Sequence, residues 1–382
     1  MRRISVENAQ SGMINARAIY SSEGKILLAA GIALNDFYIT RLKELSIYSL
    51  YIQDEFASEL SIPEIVSEKT RVETIKIVRQ TFTQIEASRR INVLDLRDAV
   101  DKILDEVLSH SNTLVHLVDI RTFDDYTFAH SVNVCILSLL TGISLSYNTL
   151  QLKELGIGAL LHDIGKTKIP LDLLNKPTRL TKKEFQLMQQ HSEQGFEILR
   201  NYPEISILST HVAYQHHERI NGSGYPRGLS GNDIHEYSRI VAVTDVYDAL
   251  LADRVYRPAF LPYDAIRELT RGAYTLFDPR VVAALLDNIA IYPVGSVVQL
   301  NTGDVGIVMD VNKQSQHRPI IRMLTDRRRN KVPGRQEIDL DKLSTVYIVK
   351  VFSEQLSYSI LQEVEEGGSI ESLLDNTQID PD

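Results

Sequence analysis

The chain has 382 residues, too many for one compact core and enough for two or three domains. Apolar residues make up 43% and charged residues 24%, with 19 Gly and 12 Pro, which excludes a collagen-like or low-complexity body. A formal net charge of −9 argues against a general nucleic-acid coat, and one cysteine excludes an internal disulfide and any multi-cysteine zinc site. That cysteine, Cys135, lies in the apolar run Val132 to Leu137 and reads as a buried thiol. Two basic residues follow Met1 without a signal-peptide core, and no stretch approaches the ~18 apolar residues of a membrane span. The expectation is a soluble, cytoplasmic protein of several units.

Residues 1–63 read as a small mixed α/β module. Ala18 to Tyr20 and Lys25 to Leu28 form a hairpin around Gly24, Asp36 to Leu45 a helix, and Leu50 to Ile52 a returning strand. Its favoured role is structural or dimerising.

From 64 to 118 the period becomes helical. Val72, Ile75, Val78, Phe82 and Ile85 form one stripe, and Leu96, Val100, Ile103, Leu104, Val107 and Leu108 a second, with Asp95 as its N-cap. This helical connector suits a homodimer seam; packing on the next domain is the default.

Residues 119–292 look almost wholly helical. Thr181 to Glu184 is a capping box opening the helix with His191, and Asp278-Pro279 opens another that runs to about Ile289. Residues 293–352 alternate around glycine turns as a small antiparallel β module, with strands at Ser296 to Leu300, Gly306 to Met309 and Pro319 to Leu324. Residues 353–382 hold no Lys or Arg and read as a short helix with a frayed acidic tail. The cluster Arg327 to Lys331 reads as a solvated loop or a dock for that tail, not a nucleic-acid patch.

Six of the ten histidines lie between His130 and His217. An apolar helix runs into His162-Asp163 and stops at Gly165; a buried charge there needs a partner or a metal, and a carboxylate can bridge two ions. His216-His217-Glu218 precedes a loop with two glycines, where paired rings can turn into one pocket; His211, five residues earlier, faces elsewhere. Asp245 interrupts the apolar run Ile240 to Leu250 and needs a metal or an arginine. His130 and His191 are single helical histidines. As a set, several nitrogens with a bridging carboxylate suit a dinuclear site, which makes hydroxide from water near neutral pH and favours phosphate-ester hydrolysis.

His130, His162-Asp163-Ile164-Gly165-Lys166, His191, His216-His217-Glu218, Gly224-Tyr225-Pro226 and Asp245 to Leu250 resemble the HD-GYP branch of the HD phosphohydrolases. The match covers about the middle half of the chain and leaves the flanking modules uncovered. The resemblance implies a mainly α fold, a helical HD-GYP bundle, that hydrolyses cyclic di-GMP to linear pGpG, and often on to GMP, in bacterial second-messenger signalling. It implies two divalent ions, iron or manganese, held by His130, His162, Asp163, His191, His216, His217 and Asp245, with Asp163 bridging. Lys166 would contact the scissile phosphate, Tyr225 would stack on the substrate, and Arg254 and Arg257 would grip phosphate or a guanine edge.

Two departures stand out. Members with three metals carry Glu one turn before the first histidine; here that residue is Tyr126, so two ions are expected. Asn221 replaces an Asp common in the loop, keeping the turn preference without the charge. The competing readings are an HD phosphohydrolase for another nucleotide and a non-catalytic cyclic-dinucleotide sensor. Every other site position is filled, which favours an active enzyme.

Overall fold

The computed structural model describes residues 1–21, 25–45, 47, 49–53, 64–110, 113–115, 126–252, 259–366 and 370–375. At the N-terminus β1 (Arg2–Ser5), β2 (Ile19–Tyr20), β3 (Ile26–Leu28), α1 (Asp36–Glu44) and β4 (Ser49–Ile52) surround a core of Ile4, Val6, Leu34, Leu42, Ile47 and Leu50. β2 and β3 make the expected antiparallel pair, whose loop at 22–24 lies outside the described residues. β4 pairs antiparallel with β1, a strand the sequence reading did not assign. Its signal was the alternation of Ile4 and Val6 with polar neighbours.

The two connector stripes form α2 (Glu68–Glu86) and α3 (Val93–Ser109). Asn92, not Asp95, caps α3 by accepting the Leu94 N–H; Asp95 falls in the first turn, where its charge still suits the helix dipole. The first half of α2 also departs from its stripe: Thr70 and Thr74 are buried while Val72 and Ile75 are only partly covered. Thr74 Oγ1 donates to the Thr70 carbonyl at 2.8 Å, so the buried hydroxyl is satisfied within its own helix. Leu108 is exposed, but the remaining α3 stripe is buried.

α4 (Tyr126–Ser144) and α5 (Thr149–Leu161) form the bundle centre, followed by the short α6 (Leu171–Leu174), α7 (Lys182–Leu199), α8 (Ile207–Gln215), α9 (Glu236–Leu251), α10 (Pro262–Gly272) and α11 (Pro279–Leu286). The α2, α3, α4, α5 and α9 stripes share one continuous core, so α2 and α3 are packed as helices of the bundle. Correcting the sequence expectation, α4 is long and apolar enough over the 18 residues Thr127–Ser144 to pass as a membrane span by composition. It is nevertheless largely buried in the fold, as an all-round apolar core helix must be. Cys135 lies inside it, and burial pushes its thiol pKa up.

β5 (Val297–Leu300), β6 (Val305–Asp310), β7 (Ile320–Thr325), β8 (Glu337–Asp339) and β9 (Ile348–Val351) build one antiparallel sheet in the order β8-β7-β6-β5-β9. The two edge strands escaped the sequence reading because they are short and only partly buried. The expected short terminal helix is α12 (Glu354–Glu366), and α13 (Glu371–Asp375) follows. α12 is anchored, with Ile360, Leu361 and Val364 packed on Val297, Ile307 and Leu324 of the sheet, while the expected frayed tail at 376–382 lies outside the described residues. Arg329 donates to the Glu371 carbonyl at 3.1 Å and Lys331 to that of Glu365 at 3.5 Å, so the basic turn docks the acidic C-terminal segment.

Candidate metal centre

Two helix ends and three helix bodies supply the site. α5 starts with a capping box between Asn148 and Gln151 and delivers His162 and Asp163, both wholly buried, at its C-terminal end. The next residues, Ile164–Lys168, turn as a 3-10 helix against α7. α7, opened by the Thr181–Glu184 capping box, brings in His191; α8, capped by Ser206, ends at His216 and His217. His130 comes from α4 and Asp245 from α9.

The structure gathers all seven of these side chains. Asp163, His191, His216 and His217 each offer a ligand atom within 4.8 Å of the others, and His130, His162 and Asp245 form a second such group. The groups are contiguous, since the His162 ring lies 5.0 Å from that of His216. Asp163 divides its oxygens between them. Oδ2 lies 3.3 Å from His162 Nε2, while Oδ1 lies 3.5 Å from His191 Nε2 and 3.9 Å from His216 Nε2.

Backbone carbonyls set the ring tautomers. His162 Nδ1 faces the Ala159 carbonyl at 2.8 Å, His191 Nδ1 that of Met188 at 2.7 Å, and His216 Nδ1 that of Val212 at 3.0 Å. A carbonyl only accepts, so each Nδ1 carries the hydrogen and each neutral ring keeps a bare lone pair on Nε2. Nε2 of His191 and of His216 then face one another at 3.3 Å with no proton between them. Nε2 of His162 is buried without an aligned hydrogen bond. Converging lone pairs beside a carboxylate repel unless a cation sits among them, so these residues fit a divalent metal. The mixed nitrogen and oxygen donors suit iron, manganese and similar ions.

The charge states agree. Burial pushes the Asp163 pKa up, but the Lys166 ammonium outweighs it and helps hold the carboxyl well below its usual range. Burial also raises Asp245, and the hydrogen bond from His130 reverses the sign. Burial pushes His216 down to about 3, and His217 is likewise held well down by burial. His130 differs. Burial pushes it down, yet Asp245 at 3.0 Å from Nε2 and Asp248 at 2.7 Å from Nδ1 lift it to about 9. Asp248, three residues after Asp245, is a partner to which the sequence reading gave no role.

Lys166 points its ammonium at Asp163 Oδ2, 2.5 Å away, at the open side of the site. Tyr225 lies over His217, ring centres 4.6 Å apart, with Phe185 at 6.0 Å beside it. Its loop is held by Glu218, a buried carboxylate accepting the N–H groups of Arg227 and Leu229 at 2.9 Å each. Asn221 keeps the turn by accepting the Ser223 N–H at 3.0 Å. Arg219, unassigned from sequence, donates to the His216 and Glu218 carbonyls at 3.3 and 3.2 Å and stacks on Phe277. The signal for it was its place directly after the paired histidines. His211 takes no part and lies against Phe196, with ring centres 5.3 Å apart. Arg254 and Arg257 lie outside the described residues, as do Asp124, Asp125 and the Tyr126 side chain.

Fold and centre together define a class: a helical bundle that gathers histidine and carboxylate ligands for divalent metal. Residues 124–281 match the HD domain family, and residues 297–357 match a KOW domain associated with HD domain. A cyclic di-GMP phosphodiesterase of Pseudomonas aeruginosa is 38% identical over 257 residues, 67% of this chain and 62% of its own. One from Thermotoga maritima is 38% identical over 187 residues, 49% of this chain and 50% of its own. A 3'3'-cGAMP-specific phosphodiesterase of Vibrio cholerae is 35% identical over 169 residues, 44% of this chain and 36% of its own. The chain thus spans less than two thirds of the length of each of these relatives. The HDG"Y"P protein of Bdellovibrio bacteriovorus shares the fold, with a TM-score of 0.51 at 20% identity over 74% of this chain and 97% of that one. By these matches and its His-Asp and Gly-Tyr-Pro motifs, the chain belongs to the HD-domain family, in its HD-GYP branch.

Proposed function

We propose that this protein is a metal-dependent phosphodiesterase for cyclic dinucleotides, acting on cyclic di-GMP to give linear pGpG and then GMP. The observation that carries the reading is the divided carboxylate of Asp163, one oxygen turned to each ligand group. That is the arrangement a bridging ligand between two ions requires. Two divalent ions, iron or manganese, held by His130, His162, Asp163, His191, His216, His217 and Asp245, would acidify a water and neutralise phosphoryl charge.

The chain's own residues supply the rest. Lys166 reaches the open side of Asp163 and would transfer its ammonium to the scissile phosphate as substrate enters. Tyr225, over His217 and beside Phe185, offers an aromatic face to a base. Arg219 and Glu218 hold the helix end and the loop, which keeps His216, His217 and Tyr225 in register. Arg254 and Arg257 keep the substrate-gripping role expected from sequence as part of this proposal. A cytoplasmic location belongs to the same reading. A homodimer through 64–118 would use the outer faces of α2 and α3, where Leu94 and Leu108 are exposed, because their stripes are covered within the chain.

The test is turnover of cyclic di-GMP and, separately, 3'3'-cGAMP by anaerobically purified protein, with metal content measured on the same sample. The second substrate is included because relatives in Vibrio cholerae carry that name. Turnover of cyclic di-GMP with about two ions per chain is expected. Asp163→Asn should release at least one ion and lower kcat by about a thousandfold, since one carboxylate serves both groups. A protein that binds cyclic di-GMP but turns over neither substrate, even after loading with Fe(II) or Mn(II), would instead be a sensor.

A further inference from the structure

The support of the metal centre extends beyond the HD-domain match. His130 Nδ1 bonds Asp248 Oδ2 at 2.7 Å, and the other oxygen of Asp248 accepts from Asn133 Nδ2 at 2.7 Å. Asn133 Oδ1 in turn accepts from Arg71 Nη1 at 2.8 Å. His130 and Asn133 stand three residues apart on α4, as do Asp245 and Asp248 on α9, so each pair lies on one helical face. Arg71 comes from α2, more than fifty residues upstream of the match at 124–281. Three turns further along α2, Phe82 meets Phe128 edge-on at 5.4 Å and Arg79 stacks on the same ring at 5.2 Å. α2 therefore grips α4 on both sides of His130, at positions 128 and 133.

The first turn of α2 is itself tied to the N-terminal module. Arg17 pairs with Glu68 at 2.6 Å and with Glu64 at 3.2 Å. Glu106 of α3 accepts from Ser67 and Thr70 at the same helix end. A displacement of that turn would be felt at Arg71 first.

We propose that Arg71 and Asn133 are positioning residues for the metal centre: through Asp248 they orient the His130 imidazole, and they make the first turn of α2 part of the centre's outer support. The inference rests on the metal reading given above. Its physical basis is that a ligating imidazole is aimed by the partner on its other nitrogen, and that partner by its own. An amide fits between Asp248 and Arg71 because it donates to the carboxylate on one side and accepts from the guanidinium on the other.

The test is Mn(II) affinity of the full chain by chelator competition, with the spin coupling of the bound pair followed by electron paramagnetic resonance. Asn133→Ala should weaken one ion by about ten- to a hundredfold and leave the other within about threefold, replacing the coupled signal with that of a single ion. Arg71→Ala, one bond more remote, should weaken the same ion by about three- to tenfold, and Arg71→Lys should restore part of it. The double variant should be no weaker than Asn133→Ala alone, because both act through Asp248. Lys102→Ala, which breaks the exposed pairing with Glu73 elsewhere on α2, should leave both ions in place. Arg71→Ala carries the test if Asn133→Ala fails to fold. Unchanged affinities in both variants, or equal loss of both ions in step with thermal stability, would overturn the proposal. A parent chain that binds no ion would show up separately and would overturn the metal reading beneath it.

Discussion

A Cβ built on Gly165 would fall 1.8 Å from the carbonyl oxygen of His191, so the turn after Asp163 can cross α7 only because this residue has no side chain. Gly224 is in the same position, with its hypothetical Cβ 2.4 Å from the Arg219 nitrogen. Both contacts are with backbone, which cannot swing aside as a flexible side chain would. Gly165→Ala should therefore cost about 3 kcal/mol, at the upper end for overpacking, as read by urea denaturation. It should also weaken metal binding, because α7 must retreat and His191 rides on it. Gly224→Ala should spare the fold more, since its loop lies nearer the surface, and raise KM by displacing Tyr225. Equal loss of stability in the two variants would contradict this division.

Single contacts between helices hold whole elements in place. Glu106 of α3 accepts from the Ser67 N–H at 2.5 Å and from Thr70 Oγ1 at 2.6 Å, capping α2 from outside. Burial pushes this carboxyl up, but the hydrogen bonds from Thr70 and Ser67 outweigh it and hold the pKa below its ordinary 4.5. A folded-state pKa below the unfolded one means stability present in full above about 4.5 and lost as pH falls through the lower folded value. Glu106→Gln should accordingly cost about 1 kcal/mol at neutral pH, and the difference from the parent should shrink on acidification. Chemical denaturation at several pH values checks this; a difference independent of pH would count against it. At the other end, Ile360 of α12 is wholly buried against the β-sheet. Ile360→Ala should cost about 2–4 kcal/mol, which a frayed tail would not register.

On the scale of the molecule, the part that matches the HD domain family lacks two of its packing partners. Val78, Phe82 and Ile85 of α2 and Leu96, Val100 and Ile103 of α3 lie in one core with residues of α4, α5 and α9. A fragment of residues 124–281 should expose that face, bind a hydrophobic dye and lose the cooperative unfolding of the full chain. Cooperative unfolding of the fragment at the parent's midpoint would show that α2 and α3 are appendages. The two ends of the chain also meet: Arg3 pairs with Glu354 at 2.9 Å, and Tyr358 packs on the N-terminal core.

The sequence alone determined the order of units, the helices with regular stripes, and the residue types that converge on the centre. Apolar periodicity and local caps are short-range signals, and a histidine beside an aspartate at the end of an apolar run has few uses. It was misled where burial depended on partners, as in α2, whose first half buries Thr70 and Thr74 in place of Val72 and Ile75. The edge strand β9 was missed for a related reason, since its partner β5 lies far back along the chain, while β8 has only three residues in which to show a period. Only the tertiary structure decided which atoms face which. The split of Asp163 between two ligand groups, the Nε2 lone pairs aimed inward by backbone carbonyls, and the reach of Arg71 to Asn133 all depend on how helices cross. Crossing is set by side-chain packing between distant segments, and no local pattern in the sequence encodes it.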